Sequence, residues 1–238
     1  MKRMHKWMLA MLLILTVLLA GCGNKQEHVA GTITPNETQI TTAEAAEEEN
    51  PVALGQMEGG IYTNTYAGFG CELDSEWVYY SAEQLQELPE NVEELIKDSK
   101  LGEAIADAAQ IFDMQAENIT DLTTMNVVYT KLGIQERLAY AMMSEEQILD
   151  LILGQSDTLT EAYTQAGFEV LGIEKVKVNF LGEERSAVRT STTIQGVNYY
   201  ILQVYDYNLG QFGVTLTVGS YVEDKTEELL NLFYAVEE

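Results

Sequence analysis

Along Val197–Tyr207 the chain reads VNYYILQVYDY, with Val197, Tyr199 and Ile201 at one parity and Tyr200, Leu202 and Val204 at the other. Side chains of a β-strand alternate between two faces, so a strand with one wet face shows an alternating pattern. This one is apolar at both parities, which places it inside a sheet covered on both sides. Its neighbours say how that sheet is built. In EKVKVNF (Glu174–Phe180), Val176, Val178 and Phe180 alternate with Lys175, Lys177 and Asn179, giving one core face and one wet face. The turn LGEE, the dipeptide Gln195-Gly196 and the triplet Asn208-Leu209-Gly210 then separate RSAVRTSTTI, the Val197 strand and QFGVTLTVGS. Strands joined by such short glycine-bearing turns pair antiparallel.

Upstream the pattern is mixed. IYTNTYAGFGCELDSEWVYYS (Ile61–Ser81) reads as a strand, a turn and a second strand pair, broken at Gly68, Gly70 and Asp74-Ser75. Ser81-x-x-Gln84 has capping-box form and opens two helical pieces separated near Pro89, and NITDLTTMNVVYTKL (Asn118–Leu132) returns to strand character. A second box, Ser144-x-x-Gln147, opens a helix on which Ile148, Ile152, Leu159, Ala162, Tyr163 and Ala166 recur at helical spacing until Gly167 stops it. Asp224-x-x-Glu227 opens a short closing helix with Leu229, Leu230 and Phe233 as its apolar stripe. The expected fold class is α+β, an antiparallel β-sheet flanked by helices, formed as a single domain by residues 59–238.

The N-terminus has a different character. Lys2, Arg3 and Lys6 precede an uncharged run, Trp7–Gly21, which has the layout of a secretory signal peptide and falls short of the roughly 20 apolar residues a bilayer span needs. It ends in Leu19-Ala20-Gly21-Cys22, which resembles a bacterial lipobox. That resemblance implies cleavage after residue 21, a diacylglyceryl group on the Cys22 thiol and a new amino terminus open to acylation. Two long acyl chains anchor stably where one does so marginally. The expected location is therefore the extracytoplasmic face of the cell membrane, with the lipid-anchored Cys22 as the membrane contact.

Residues 22–58 follow as a lipidated cysteine and an acidic tether, with no aromatic residue and no sustained apolar period, the composition of a disordered segment. As a flexible coil it reaches roughly 30–35 Å. Three of the 13 Lys/Arg precede Cys22, so the remainder carries 10 against 38 Asp/Glu, a formal charge of −28. Such an excess repels nucleic acid and anionic head groups, so no nucleic-acid partner is expected. Cys71 is the other cysteine, so no internal disulfide is expected once Cys22 is lipidated; its setting, GFGCELD, reads as a strand, where a free thiol packs as a small apolar group.

Tyr62-x-Asn64-x-Tyr66-x-Gly68-Phe69, followed by Trp77 and by the closing DKTEELLNLF (Asp224–Phe233), resembles small lipoproteins of anaerobic Gram-positive bacteria with a PsbP/Mog1-like domain. The resemblance implies an α/β/α sandwich. It carries over no activity, because fold and function are separable.

The chemical inventory is short. The two histidines, His5 and His28, both lie before the expected domain. This removes Ser-His-Asp and Cys-His arrangements and the usual His/Cys ligand sets, and there is no phosphate loop or EF-hand. No cofactor and no metal are expected. Carboxylate chemistry survives, since a glycosidase needs only two acids, but Glu93-Glu94, Glu145-Glu146, Glu183-Glu184 and Glu227-Glu228 sit at helix starts or turns, where acids favour the helix dipole or face water.

The candidate ligand-binding residues are Tyr205, Tyr207, Arg185 and Arg189. The tyrosines either stack on a sugar or peptide or pack in the core. The arginines, four apart and so on one face of a strand, either clamp an anion or pair with nearby acids. The function expected is a non-catalytic binding or accessory domain on a membrane anchor, with an unknown envelope protein or ligand as partner. The alternatives are an envelope glycan hydrolase using a carboxylate pair and a small substrate-binding lipoprotein.

Overall fold

The computed structural model describes residues 54–88, 110–207 and 210–236. Leu19, Ala20, Gly21 and Cys22, the tether to residue 53 and the helical piece expected beyond Pro89 lie outside the described residues. In chain order the elements are β1 (Gln56–Glu58), β2 (Ile61–Asn64), β3 (Phe69–Glu72), β4 (Trp77–Tyr79), α1 (82–88), β5 (Gln110–Asn118) and β6 (Thr124–Lys131). They continue with α2 (Ile134–Tyr140), α3 (Glu145–Leu153), α4 (Ser156–Gln165), β7 (Glu169–Phe180), β8 (Glu183–Ile194), β9 (Val197–Asp206), β10 (Phe212–Tyr221), α5 (Thr226–Leu230) and β11 (Phe233–Ala235).

The long strands form one antiparallel sheet of seven, in the order β4-β5-β6-β10-β9-β8-β7. β9 is interior, with Val204 opposite Leu216 on one side and Ala187 on the other. Its two faces feed two cores. Tyr199, Ile201 and Tyr205 pack with Ile148, Leu149, Ile152, Leu159 and Tyr163 under the helices. Leu202 and Val204 pack on the opposite side with Tyr62, Phe69, Cys71, Leu229 and Leu230. The α+β class with helices on both faces is therefore present, with α1 to α4 on one side and α5 on the other. The α5 side is completed by a small four-stranded sheet, β1-β2-β3-β11. Two hairpins close as read: Leu181-Gly182 (φ 55° and 85°) and Gln195-Gly196 (φ 52° and 79°) are left-handed at both central positions, the geometry whose twist matches that of paired strands.

Both capping boxes form. The Ser81 N–H donates to Gln84 Oε1 (2.9 Å) and the Gln84 N–H to Ser81 Oγ (3.3 Å). Ser144 and Gln147 do the same at 2.8 and 3.3 Å.

Four local expectations need correcting. The long helix after Ser144 is two helices, because Gly154 caps α3 and Gln155 precedes α4; glycine is a weak helix former. Phe233 is not on the closing helix but opens β11, opposite Cys71, since α5 is only five residues long. β1 falls inside the stretch read as tether: three exposed residues held by main-chain pairing, Gln56 opposite Thr63, which leaves no apolar period to detect. Helix α2 went unread because Ile134 and Leu138 point to solvent and only Tyr140 is buried. Among the described residues no helix is long and apolar enough to cross a membrane.

Candidate functional site

Two polar constructions stand out at the end of the large sheet where β5 begins and β6 and β9 finish. The first is built on Asp113. A bulge between Phe112 and Met114 takes this residue out of register with β6, and bulges re-aim side chains in this way. Its half-buried carboxylate accepts hydrogen bonds from the Gly55 N–H (2.8 Å), the Tyr62 hydroxyl (2.5 Å) and Asn64 Nδ2 (2.6 Å). Asn64, fully buried, also reaches the hydroxyls of Tyr62 (2.9 Å) and Tyr129 (2.5 Å), while its Oδ1 accepts the Ala67 N–H (2.8 Å).

Burial raises the Asp113 carboxyl above its ordinary range, against the opposing pull of the bonds from Tyr62, Gly55 and Asn64. Burial first, and the Asp113 charge second, push the Tyr62 hydroxyl far above ordinary tyrosine. A carboxylate held this firmly by fixed donors is a clasp: it ties the chain entering at Gly55 and the small sheet to the large one. Tyr62 and Asn64 belong to the pattern noted in the sequence; Asp113 was missed, because nothing local announces a bulge.

The second construction is a notch. Pairing of β8 with β9 runs from Ile194 opposite Val197 to Ala187 opposite Val204, and beyond that point β8 pairs with β7 alone. Glu145, the first residue of α3, fills the parting. Its Oε2 accepts the Ser186 N–H (2.9 Å), its Oε1 accepts Arg185 Nε (2.6 Å), and Arg185 Nη2 donates to the Tyr205 carbonyl (3.1 Å). Open hollows of about 350 Å³ and about 270 Å³, solvent space included, lie on the two faces of the sheet here, and Arg185, Tyr205 and Asp206 line both. Both hollows are open to solvent, a shape that suits a partner's surface better than an enclosed ligand.

Of the four candidate residues, the notch collects Arg185 and the backbone of Tyr205. The rings of Tyr205 and Tyr207 are buried, stacked on each other at 6.0 Å, with Tyr207 also 5.2 Å from Tyr140. Of the two readings of these tyrosines, core packing is the one their rings follow. Arg189 points elsewhere and binds acids of the closing segment, Glu227 at 2.5 Å and Asp224 at 3.4 Å. The two arginines therefore do not form one clamp. Among the described residues no three of His, Cys, Asp and Glu are grouped to hold a metal ion.

No family model matches the chain, and no curated protein matches it. Among solved structures, the solution structure of cyanobacterial PsbP (CyanoP) from Synechocystis sp. PCC 6803 is similar, with a TM-score of 0.41 and 11% identity over 79% of this chain and 96% of that one. A likeness at that score carries no argument about topology or activity; the α+β class stands on the strands and helices themselves.

Proposed function

We propose that this chain is a lipid-anchored extracytoplasmic protein whose α+β domain binds a partner of the cell envelope and performs no chemistry of its own. The observation that carries the reading is Leu19-Ala20-Gly21-Cys22 at the end of an uncharged run behind Lys2, Arg3 and Lys6. Supporting it, the carboxylate drawn between the sheets, Asp113, is spent on holding the fold. The notch at Arg185 offers a shallow surface, apolar toward Phe69 and Phe180, with a guanidinium one quarter exposed beside Glu145. An acidic group on a partner would compete with Glu145 for that guanidinium, a planar donor suited to carboxylates.

The test is a Cys22→Ser variant followed by membrane fractionation and acyl-chain labelling. Loss of label, with the protein released or left unprocessed, is expected; normal fractionation with membrane overturns the anchor. Cross-linking from native membranes then identifies the partner. Release of sugar from peptidoglycan by the purified protein, abolished in a double carboxylate variant, would overturn the non-catalytic reading.

A further inference from the structure

The helix-facing side of the large sheet changes character across its width. Over β8 and β9 it is mostly apolar, with Val188, Tyr199, Ile201 and Tyr205. Over β10, β6 and β5 it carries Thr215, Thr217, Thr124, Asn126, Gln115 and Glu117, all buried. The registers set one polar row straight across four strands: Gln115 opposite Asn126, Asn126 opposite Thr217, Thr217 opposite Gln203. At one end the row is satisfied, since Gln203 Nε2 donates to Thr217 Oγ1 (3.0 Å) and the Tyr205 hydroxyl donates to Gln203 Oε1 (3.0 Å).

At the other end it is not. Gln115 is 1% exposed and Asn126 0%. Yet both atoms of each amide, Nε2 and Oε1 of one and Nδ2 and Oδ1 of the other, have no hydrogen-bond partner. The two are direct cross-strand neighbours and still do not bond each other. Native interiors rarely leave one such group unmet, and here four polar atoms lie together.

The surroundings define a frame for the row. On β10 the positions flanking Thr215 and Thr217 on this face are Gly213 and Gly219, and Tyr207, just past β9, and Tyr199, within it, lie over them. A Cβ at Gly213 would stand 2.1 Å from the Tyr207 ring, and one at Gly219 would stand 2.2 Å from the Tyr199 hydroxyl. Aromatic walls thus bracket a floor of amides and hydroxyls. Glu117, two residues from Gln115 along β5, has its carboxylate engaged by the Tyr80 hydroxyl. The lysines on this face of β7 are taken, Lys175 by Asp150 and Lys177 by Glu146.

We propose that this row is the floor of an internal site for a small uncharged ligand carrying an amide. Each orphaned side chain offers a donor and an acceptor in one plane, which is the complement of an N-acyl group. The flanking rings match the apolar face of a sugar or acyl chain. Among the described residues, the lysines and the carboxylate nearest the row are already engaged, which leaves it to a neutral ligand. The inference stands apart from lipidation and from the Arg185 notch.

The test titrates the purified full-length protein with N-acetylglucosamine, and with glucose as a neutral control lacking the amide, reading the thermal midpoint. At about ten times its Kd the amide sugar should raise the midpoint by roughly 3–6 °C. Gln115→Met and Asn126→Leu, which delete the unmet atoms at similar volume, should weaken that response at least about tenfold while raising the unliganded midpoint. If either variant fails to fold, the side-chain amide NMR signals of Gln115 and Asn126 in the unmodified protein give the answer, because they should shift with N-acetylglucosamine. No shift in midpoint or NMR signal overturns the site. An undiminished response in the folded variants also overturns it, and equal responses to glucose overturn the amide assignment.

Discussion

Tyr62→Phe isolates the Asp113 clasp. The ring is kept against Phe69, at 6.5 Å between centroids, and only the hydroxyl goes. With it goes a bond to the carboxylate at 2.5 Å, worth roughly 1.5–3 kcal/mol as a contact to a charged group. Asn64 keeps Asp113 and Tyr129 as acceptors, so its lost contact with Tyr62 adds little. A net loss of about 2 kcal/mol follows, which for a protein of this size is roughly 4–8 °C in thermal midpoint.

The deficit should also depend on pH. Asp113 is raised in the folded state by burial, and the Tyr62 bond opposes that rise. Removing the hydroxyl therefore pushes the folded value higher still. A carboxyl raised on folding contributes stability that is fully present below its unfolded value, about 3.9, and lost as pH climbs through the folded value. The variant is thus least penalised near pH 4 and bears its full penalty at neutral pH. Urea unfolding followed by tryptophan fluorescence at pH 7.5 and pH 4.5 reads both quantities. A change within about 0.5 kcal/mol at pH 7.5, or a larger deficit at the lower pH, would refute the clasp.

Val222 holds φ 68° while 65% exposed, an unfavourable conformation for a β-branched residue with little packing to lose. Val222→Asn should therefore stabilise by about 1 kcal/mol, and calorimetry showing no gain would contradict this. Cys71 is fully buried, 3.8 Å from the Tyr79 hydroxyl, and burial pushes its thiol up to about 11. Mass spectrometry after iodoacetamide at pH 8 should find Cys71 unmodified in the native protein and alkylated in urea; native modification would show a reactive thiol.

What could be read in the sequence followed from strict periods and from turns with special backbone demands. Tyr199, Ile201, Leu202 and Val204 placed β9 inside the sheet because both parities were apolar, and Gln195-Gly196 marked its hairpin. Ser144 and Gln147 marked a helix start to the residue. Illegible features were those whose partners come from far along the chain. Asp113 meets Gly55 and Tyr62 across more than 50 residues, through a bulge with no signature of its own. Tyr205 and Tyr207 were visible as candidates, but only the packing of β9 against the helices shows their rings turned inward. The polar row through Asn126 and Thr217 had no signal in the sequence, because alternating polar residues look the same whether that face of a strand is wet or covered.

The bond from the Gly55 N–H to Asp113 also has a mechanical meaning. Gly55 directly precedes β1, whose far end turns back at Gly59-Gly60 into β2, so tension entering through Leu54 peels β1 from β2 one pair at a time rather than shearing all three together. Sequential peeling offers little resistance, and freeing residues 55–60 would lengthen the lead into the fold by about 20 Å. Asp113 lies ahead of that zipper on the load path. A single carboxylate on β5 of the large sheet thereby takes the load first and sets the force at which the domain pays out extra chain.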